Sequence, residues 1–286
     1  MAENIIISTT NYVDASTSTL TVDSESSTLP KENLQNLQIV RIFRTGAVTS
    51  LQIDVDFGSS KLVDLMSIIN HNFTISASIR WRLSNVSDFS SSLYDSGTVD
   101  VWPAIEDFGS SPWGIFTWGS KPTQEQADLY TANVFAILSS ATVARYMRIE
   151  ISDSTNTDGY LQAGRLIAGP AYQPTINYAN GVEFEFVDES RVTKSRGGQT
   201  FVDEVEKFRR MRFDLINLPE DEIFGNVFNS LDRIKGISKD VLVIPQPSEP
   251  TTWITQNIYG RISATAPIVN SALTFYGRQI EIEEMI

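Results

Sequence analysis

The chain has 286 residues, 41% of them hydrophobic and 10% aromatic, with no cysteine and a formal net charge of −13. This composition predicts packed cores and excludes disulfides, thiolate metal sites and cysteine nucleophiles. Its acidity opposes a phosphate backbone, so no nucleic-acid partner is expected, and no apolar run approaches the roughly 18 residues of a membrane span.

Residues 1–32 are striped with Ser and Thr and read as an N-terminal arm with one short strand at 4–8. The arm lacks the basic and apolar regions of a secretory signal, which predicts synthesis and folding in a cytosol. From Asn33 the pattern changes to short strands between turns. Leu51, Ile53, Val55 and Phe57 alternate strictly, and Gly58 is expected to end that strand. Residues 63–69 form a continuous apolar run of the kind buried on both faces, and residues 73–83 alternate again around Trp81.

Thr123 and Gln126 stand at capping-box spacing and predict a helix over 123–138, although Thr131, Val134 and Phe135 favour a strand. In 145–151, Met147, Ile149 and Ile151 alternate with Tyr146, Arg148 and Glu150, a period of two that sends one set inward. A polar hairpin over 153–159 leads to a return strand punctuated by Gly164 and Gly169. Pro, Asn and Gly then gather over 170–181. This divides the chain into an arm (1–32), a first domain (33–176) and a second domain (177–286).

The second domain contains an amphipathic helix over 219–235. Pro219 opens it, Glu220, Asp221 and Glu222 occupy the positive end of its dipole, and Arg233 and Lys235 the negative end. Phe224, Val227, Phe228, Leu231 and Ile234 make its apolar stripe, and Gly236 is the stop.

Candidate sites are few. His71 is the one histidine, so a Ser-His-Asp triad or a multi-histidine metal site has at most one possible member, and a structural hydrogen bond at a strand end is expected of it. Asp153 and Asp158 offer hard oxygen ligands within one turn, the chemistry of calcium, or else a plain polar hairpin. The stretch 101–119 carries Trp102, Phe108, Trp113, Phe116 and Trp118. These rings either seal a core or interface, or present faces to sugars.

Arg191, Lys194, Arg196, Lys207, Arg209, Arg210 and Arg212 form the basic concentration of the chain. They are read either as a patch meeting the acidic Glu281, Glu283 and Glu284 of a neighbouring copy, or as a solvated strand face. No Walker loop, nucleophile elbow, HExxH or dinucleotide glycine pattern is present, and no enzyme activity or required cofactor is expected.

Asp56-Phe57-Gly58, His71-Asn72, the Trp81 strand, Asp95-Ser96-Gly97 and the strand at 145–149 follow one another in an order that resembles the discoidin or galactose-binding-like jelly roll. That resemblance implies a sandwich that often carries a structural calcium. The remainder is similar to the β-sandwich of tailed-bacteriophage distal-tail and tail-tip proteins. It rests on Ser195-Arg196-Gly197-Gly198, the strand at 208–215, the helix after Pro219, the strand at 241–244 with Pro245 and Pro247, Ile258-Tyr259-Gly260, and a charged strand at 279–286.

The fold class expected is mainly β: a galactose-binding-like jelly-roll sandwich, then a second small β-sandwich carrying one amphipathic helix. The function implied is that of a non-enzymatic virion structural protein of a tail tip or baseplate. It would be made in the bacterial cytoplasm, self-assemble into a ring and brace tail-tube, tail-tip or fibre proteins. Arg191, Arg196, Arg209, Arg210, Arg212, Glu281, Glu283 and Glu284 would form its interface. The alternative is a carbohydrate-binding adhesin that reads host-surface glycans through Trp102, Trp113, Phe116 and Trp118.

Overall fold

The computed structural model describes residues 4–104 and 121–286. The fold is mainly β and antiparallel, in two compact units: Met1–Gln173 with Ile244–Asn257, and Pro174–Val243 with Ile258–Ile286.

The first unit holds β1 (Ile6–Ser8), β2 (Thr19–Val22), β3 (Phe43–Arg44), β4 (Ser50–His71), β5 (Ser78–Ser84), β6 (Ser92–Asp95), β7 (Val99–Asp100), β8 (Asn133–Ser152), β9 (Gln162–Gly169) and β10 (Ala171–Tyr172). Two of these are long, 22 residues in β4 and 20 in β8, and both bend from one layer into the other. In one layer the first part of β4 lies between β2 and the end of β8, which also pairs with β5. In the other layer, Leu65–His71 of β4 lies between β9 and the start of β8. The unit is therefore a β-sandwich of the jelly-roll kind expected. Its core includes Phe57, Trp81, Met147, Ile149 and Leu166.

Gly58 does not end its strand. It sits at φ 76° where the pairing register shifts between Asp56 and Lys61, and the strand continues through the bend. A Cβ on Gly58 would lie 2.7 Å from the Thr17 carbonyl oxygen. The arm is built into this unit: β2 pairs with β4, and Val13 lies in the core. Arg165, wholly buried, donates to both carboxylate oxygens of Asp14.

The helix expected over 123–138 stops after one turn, Gln124–Ala127. Both hydrogen bonds of the Thr123–Gln126 capping box form. Beyond it, Val134 and Phe135 enter the ladder with β4, where their β preference and non-local pairing outweigh the helical spacing.

The second unit holds β11 (Glu183–Val187), β12 (Arg191–Lys194), β13 (Thr200–Asp203), β14 (Phe208–Pro219), β15 (Asp240–Ile244), β16 (Ile258–Thr265), β17 (Val269–Ala272) and β18 (Phe275–Glu284). β15, β16, β18, β14 and β11 lie side by side, β17 joins β18, and β12–β13 is a separate hairpin.

The predicted helix exists, with a different winding. A short α-turn, Glu220–Glu222, runs on as a π-helix, Ile223–Lys235, and Gly236 at φ 56° ends it by donating to the Leu231 carbonyl. Bonds from i to i+5 widen each turn, so the buried positions fall every fourth residue: Ile223, Val227, Leu231 and Lys235. Of the expected stripe, Val227 and Leu231 are inside, whereas Phe224, Phe228 and Ile234 are exposed. Lys235 is tolerated inside because its ammonium donates to the Asp240 carbonyl at 2.6 Å beside the Asp240 carboxylate. No helix among the described residues is long and apolar enough to cross a membrane.

Candidate functional site

In the first unit, a cleft of 610 Å³ opens between residues 70–76, residues 124–132 and the turn 155–158, with Trp102 among its lining residues. Sequence-local chemistry shapes each wall. Asn70, at φ 55°, turns the chain at the end of β4, and its amide donates to the Ile39 carbonyl at 3.1 Å. The Thr123 capping box holds the single turn that carries Gln124 and Asp128.

Buried Asp153 ties the first wall to the third. Its carboxylate accepts from the Thr74 amide at 2.8 Å and the Thr74 hydroxyl at 2.6 Å, with Asn156 adding a third donor at 3.3 Å. Asn72 completes the tie, donating to Asp158 at 3.0 Å and to the Tyr160 carbonyl at 3.1 Å.

The hydroxyls and amides of Thr74, Ser76, Gln124, Tyr130, Thr155 and Thr157 line this cleft, together with the rings of His71, Phe73 and Trp102. Asp128 and Asp158 are its charged residues among those described. His71 stacks on Phe73 with ring centroids 4.3 Å apart and meets Trp102 edge-on at 5.6 Å. Its Nδ1 accepts from the Phe73 amide at 3.2 Å, the structural bond expected of it. That bond leaves the proton on Nε2, and burial pulls the imidazole down to about 3, so it stays neutral at physiological pH. Only 6% of His71 is exposed, and its Nε2 donor meets no acceptor among the described residues.

Of the candidate calcium ligands, Asp153 accepts from Thr74 and Asn156, and one oxygen of Asp158 accepts from Asn72. Among the described residues no group of three or more acidic, His or Cys side chains is placed to hold a metal ion. Trp102, read as a core or interface ring or else a sugar platform, is 5% exposed and its Nε1–H donates to the Phe73 carbonyl at 2.9 Å. Trp113, Phe116 and Trp118 lie outside the described residues.

The strand order sets most of the charged residues of the expected interface against one another within the chain. β14 and β18 are adjacent, with Arg210 opposite Glu283 and Arg212 opposite Glu281. Arg210 meets Glu283 at 2.9 Å and Glu185 at 3.1 Å; Arg212 meets Glu281 at 2.6 Å and Glu183 at 2.9 Å. Arg209 pairs with Glu284. The basic and acidic patches thus neutralise each other within one chain. Arg191 and Arg196, on and beside the β12–β13 hairpin, remain exposed.

The cleft residues that sequence reasoning missed are Asn72, Thr74, Gln124, Asp128 and Tyr130. One signal was available for the first: the polar run Asn70-His71-Asn72 that interrupts the apolar strand before Phe73.

No family model matches the chain, and no curated relative matches it. Solved structures similar to it include the family 32 CBM from C. perfringens NanJ in complex with galactose, at 12% identity over 57% of this chain and 98% of that one, with a TM-score of 0.36. The lectin domain of Lectinolysin complexed with Lewis B antigen is 12% identical over 56% and 97%, with a TM-score of 0.37. A chitosan-binding module from a Paenibacillus chitosanase/glucanase is 15% identical over 56% and 99%, with a TM-score of 0.37. At such low scores and identities these likenesses carry no weight as to ligand.

Proposed function

We propose that the chain is a non-enzymatic carbohydrate-binding protein and that the His71 cleft is its saccharide site. The observation that carries this reading is the cleft's mixed lining, in which the polar side chains of Thr74, Ser76, Gln124, Thr155 and Thr157 stand beside the rings of Phe73 and Trp102. Sugars present hydroxyl acceptors and apolar ring faces together, and such a mixed surface complements them. This moves the glycan-binding reading from Trp113, Phe116 and Trp118 to a pocket built by three other segments, with Trp102 in its wall.

The test is a glycan array followed by calorimetry on the strongest binder, with Thr157→Ala and Ser76→Ala, both at exposed cleft positions. One lost hydrogen bond predicts affinity lower by about three- to ten-fold in each, with the fold unaffected. A blank array, or unchanged affinity in both variants, would sink the proposal.

Assembly as a phage tail-tip subunit is a second reading, and one observation favours it. Every residue of β12 and β13 is exposed, including Val192, Phe201 and Val202, and a two-stranded ribbon alone is marginally stable. Mass photometry of the wild type against Val192→Ser/Phe201→Ser tests it: oligomers lost in the variant support assembly, and a monomeric wild type counts against it.

A further inference from the structure

We propose that Asn180 is a site of spontaneous covalent modification, where the side chain passes through a succinimide to aspartate and isoaspartate and thereby loosens β11. Asn180-Gly181 is the one Asn-Gly step in the chain. Asparagine is among the thermolabile residues, and a following glycine brings no side chain to shield its own amide nitrogen.

The structure leaves both reacting groups free. Asn180 and Gly181 are exposed and lie outside helix and strand. Neither the Asn180 carboxamide nor the Gly181 amide has a hydrogen-bond partner among the described residues. Gly181 sits at φ 106°, with open space where a Cβ would stand. The two Asn-Ser steps of the chain are held instead. Asn229, in the 223–235 helix, donates to the Phe224 carbonyl at 2.8 Å, and Asn270, in β17, to the Leu273 carbonyl at 3.0 Å.

Water is the only co-reactant needed. The Gly181 nitrogen attacks Cγ of Asn180, the carboxamide C–N bond breaks, and its NH2 leaves as ammonia with the proton from the Gly181 amide. Water then opens the ring. Breaking the new Cγ–N bond gives aspartate. Breaking the original backbone C–N bond gives isoaspartate, which routes the main chain through Cβ and Cγ. Either product adds a negative charge.

The effect falls on β11 because the site lies between two anchors on one strand. Before it, the Ala179 amide donates to the Asp214 carbonyl at 2.8 Å; after it, Glu183 pairs with Arg212. Asp214 and Arg212 both belong to β14, so residues 180–182 bridge a fixed span. Isoaspartate puts an extra backbone atom into that span. β14 is held on its far side by β18, whereas β11 lies at the sheet edge with β14 as its described neighbour, so β11 yields.

The experiment ages the full chain at mildly alkaline pH, folded and in guanidinium. Each Asn is followed by peptide mapping and by labelling with protein isoaspartyl methyltransferase. Asn180 should be the first Asn to change in the folded chain, at a rate similar to that in denaturant. Asn229 and Asn270 should change in denaturant alone. Asn180→Gln should lose the methyl label at this position. Amide hydrogen exchange over 184–187 should quicken in the aged wild type and stay unchanged in aged Asn180→Gln.

An Asn180 that stays intact in the folded chain, or that reacts only after unfolding, would overturn the inference. Modified Asn180 with unchanged exchange over 184–187 would support the site and overturn its effect on β11.

Discussion

Arg209 and Glu284 face each other across the seam of β14 and β18 with 6% and 5% of their side chains exposed. Arg209 donates to Glu284 from its backbone amide and from Nε, each at 2.9 Å. Removing one partner of such a pair strands the other charge out of water, at a cost of roughly 3–5 kcal/mol. Arg209→Met should therefore lower stability by that order in urea titrations, and Arg209→Met/Glu284→Met should recover most of it. For the same reason, charge reversal at Arg209 and Arg210 should unfold the second unit's sheet, not merely separate copies of a folded chain.

The winding of the 223–235 helix can be read from two isoleucines. Ile223 is fully buried and Ile234 is 47% exposed. Ile223→Ala should cost about 2–5 kcal/mol, and Ile234→Ala within about 0.5 kcal/mol. An α-helical winding with the Phe224–Ile234 stripe inside would reverse this order, and paired chemical denaturation curves distinguish the two.

His71 gives the first unit a specific pH dependence. Its folded value of about 3 lies below the ordinary 6.5, so the unfolded chain takes up a proton that the folded chain refuses. Stability is then undiminished above about pH 6.5 and falls as pH drops toward 3, by at most roughly 1.4 kcal/mol per pH unit. Carboxylates act lower on the scale. Asp95, held at about 2 chiefly by its hydrogen bond from Arg80, contributes above the ordinary aspartate range and loses that contribution as pH falls toward 2. Urea midpoints at pH 7 and pH 5 should differ less in His71→Phe than in the wild type. An unchanged difference would show that the imidazole titrates normally.

Asp153 should matter as a tie between loops and not as a metal ligand. Asp153→Ala leaves the Thr74 amide and hydroxyl without their acceptor, at a cost of about 1–3 kcal/mol, and should also abolish binding in the cleft. Added calcium or a chelator should leave the wild-type melting temperature unchanged. A rise with calcium would identify a metal site.

How far the sequence reaches depends on the range of each interaction. The alternation of Met147, Ile149 and Ile151 is a local signal, and all three are buried as it predicts. The Thr123–Gln126 box is local too, and it forms; the helix beyond it does not, because pairing with β4 is decided some seventy residues away in the chain. The same distance hid the partner of Arg212. Glu281 is 69 residues later, and adjacency of their strands follows from topology, not from the charge pattern. The cleft was the least legible part. Thr74, Gln124 and Asp128 are each unremarkable in their own segments and acquire meaning where three segments converge. The π-winding has no clear sequence signal, since Phe224 and Phe228 fit an ordinary amphipathic stripe as well as the residues that are buried.

The segment 244–257 returns to the first unit after most of the second has been made. Its Trp253 ring meets Phe135 at 4.6 Å, and Ile254 packs against the first unit's core. During translation the sandwich must therefore wait, nearly complete, while about seventy residues of another unit leave the ribosome. A fragment that stops at residue 173 would carry the cleft residues but leave the Phe135 ring and the core beside Ile254 without this cover.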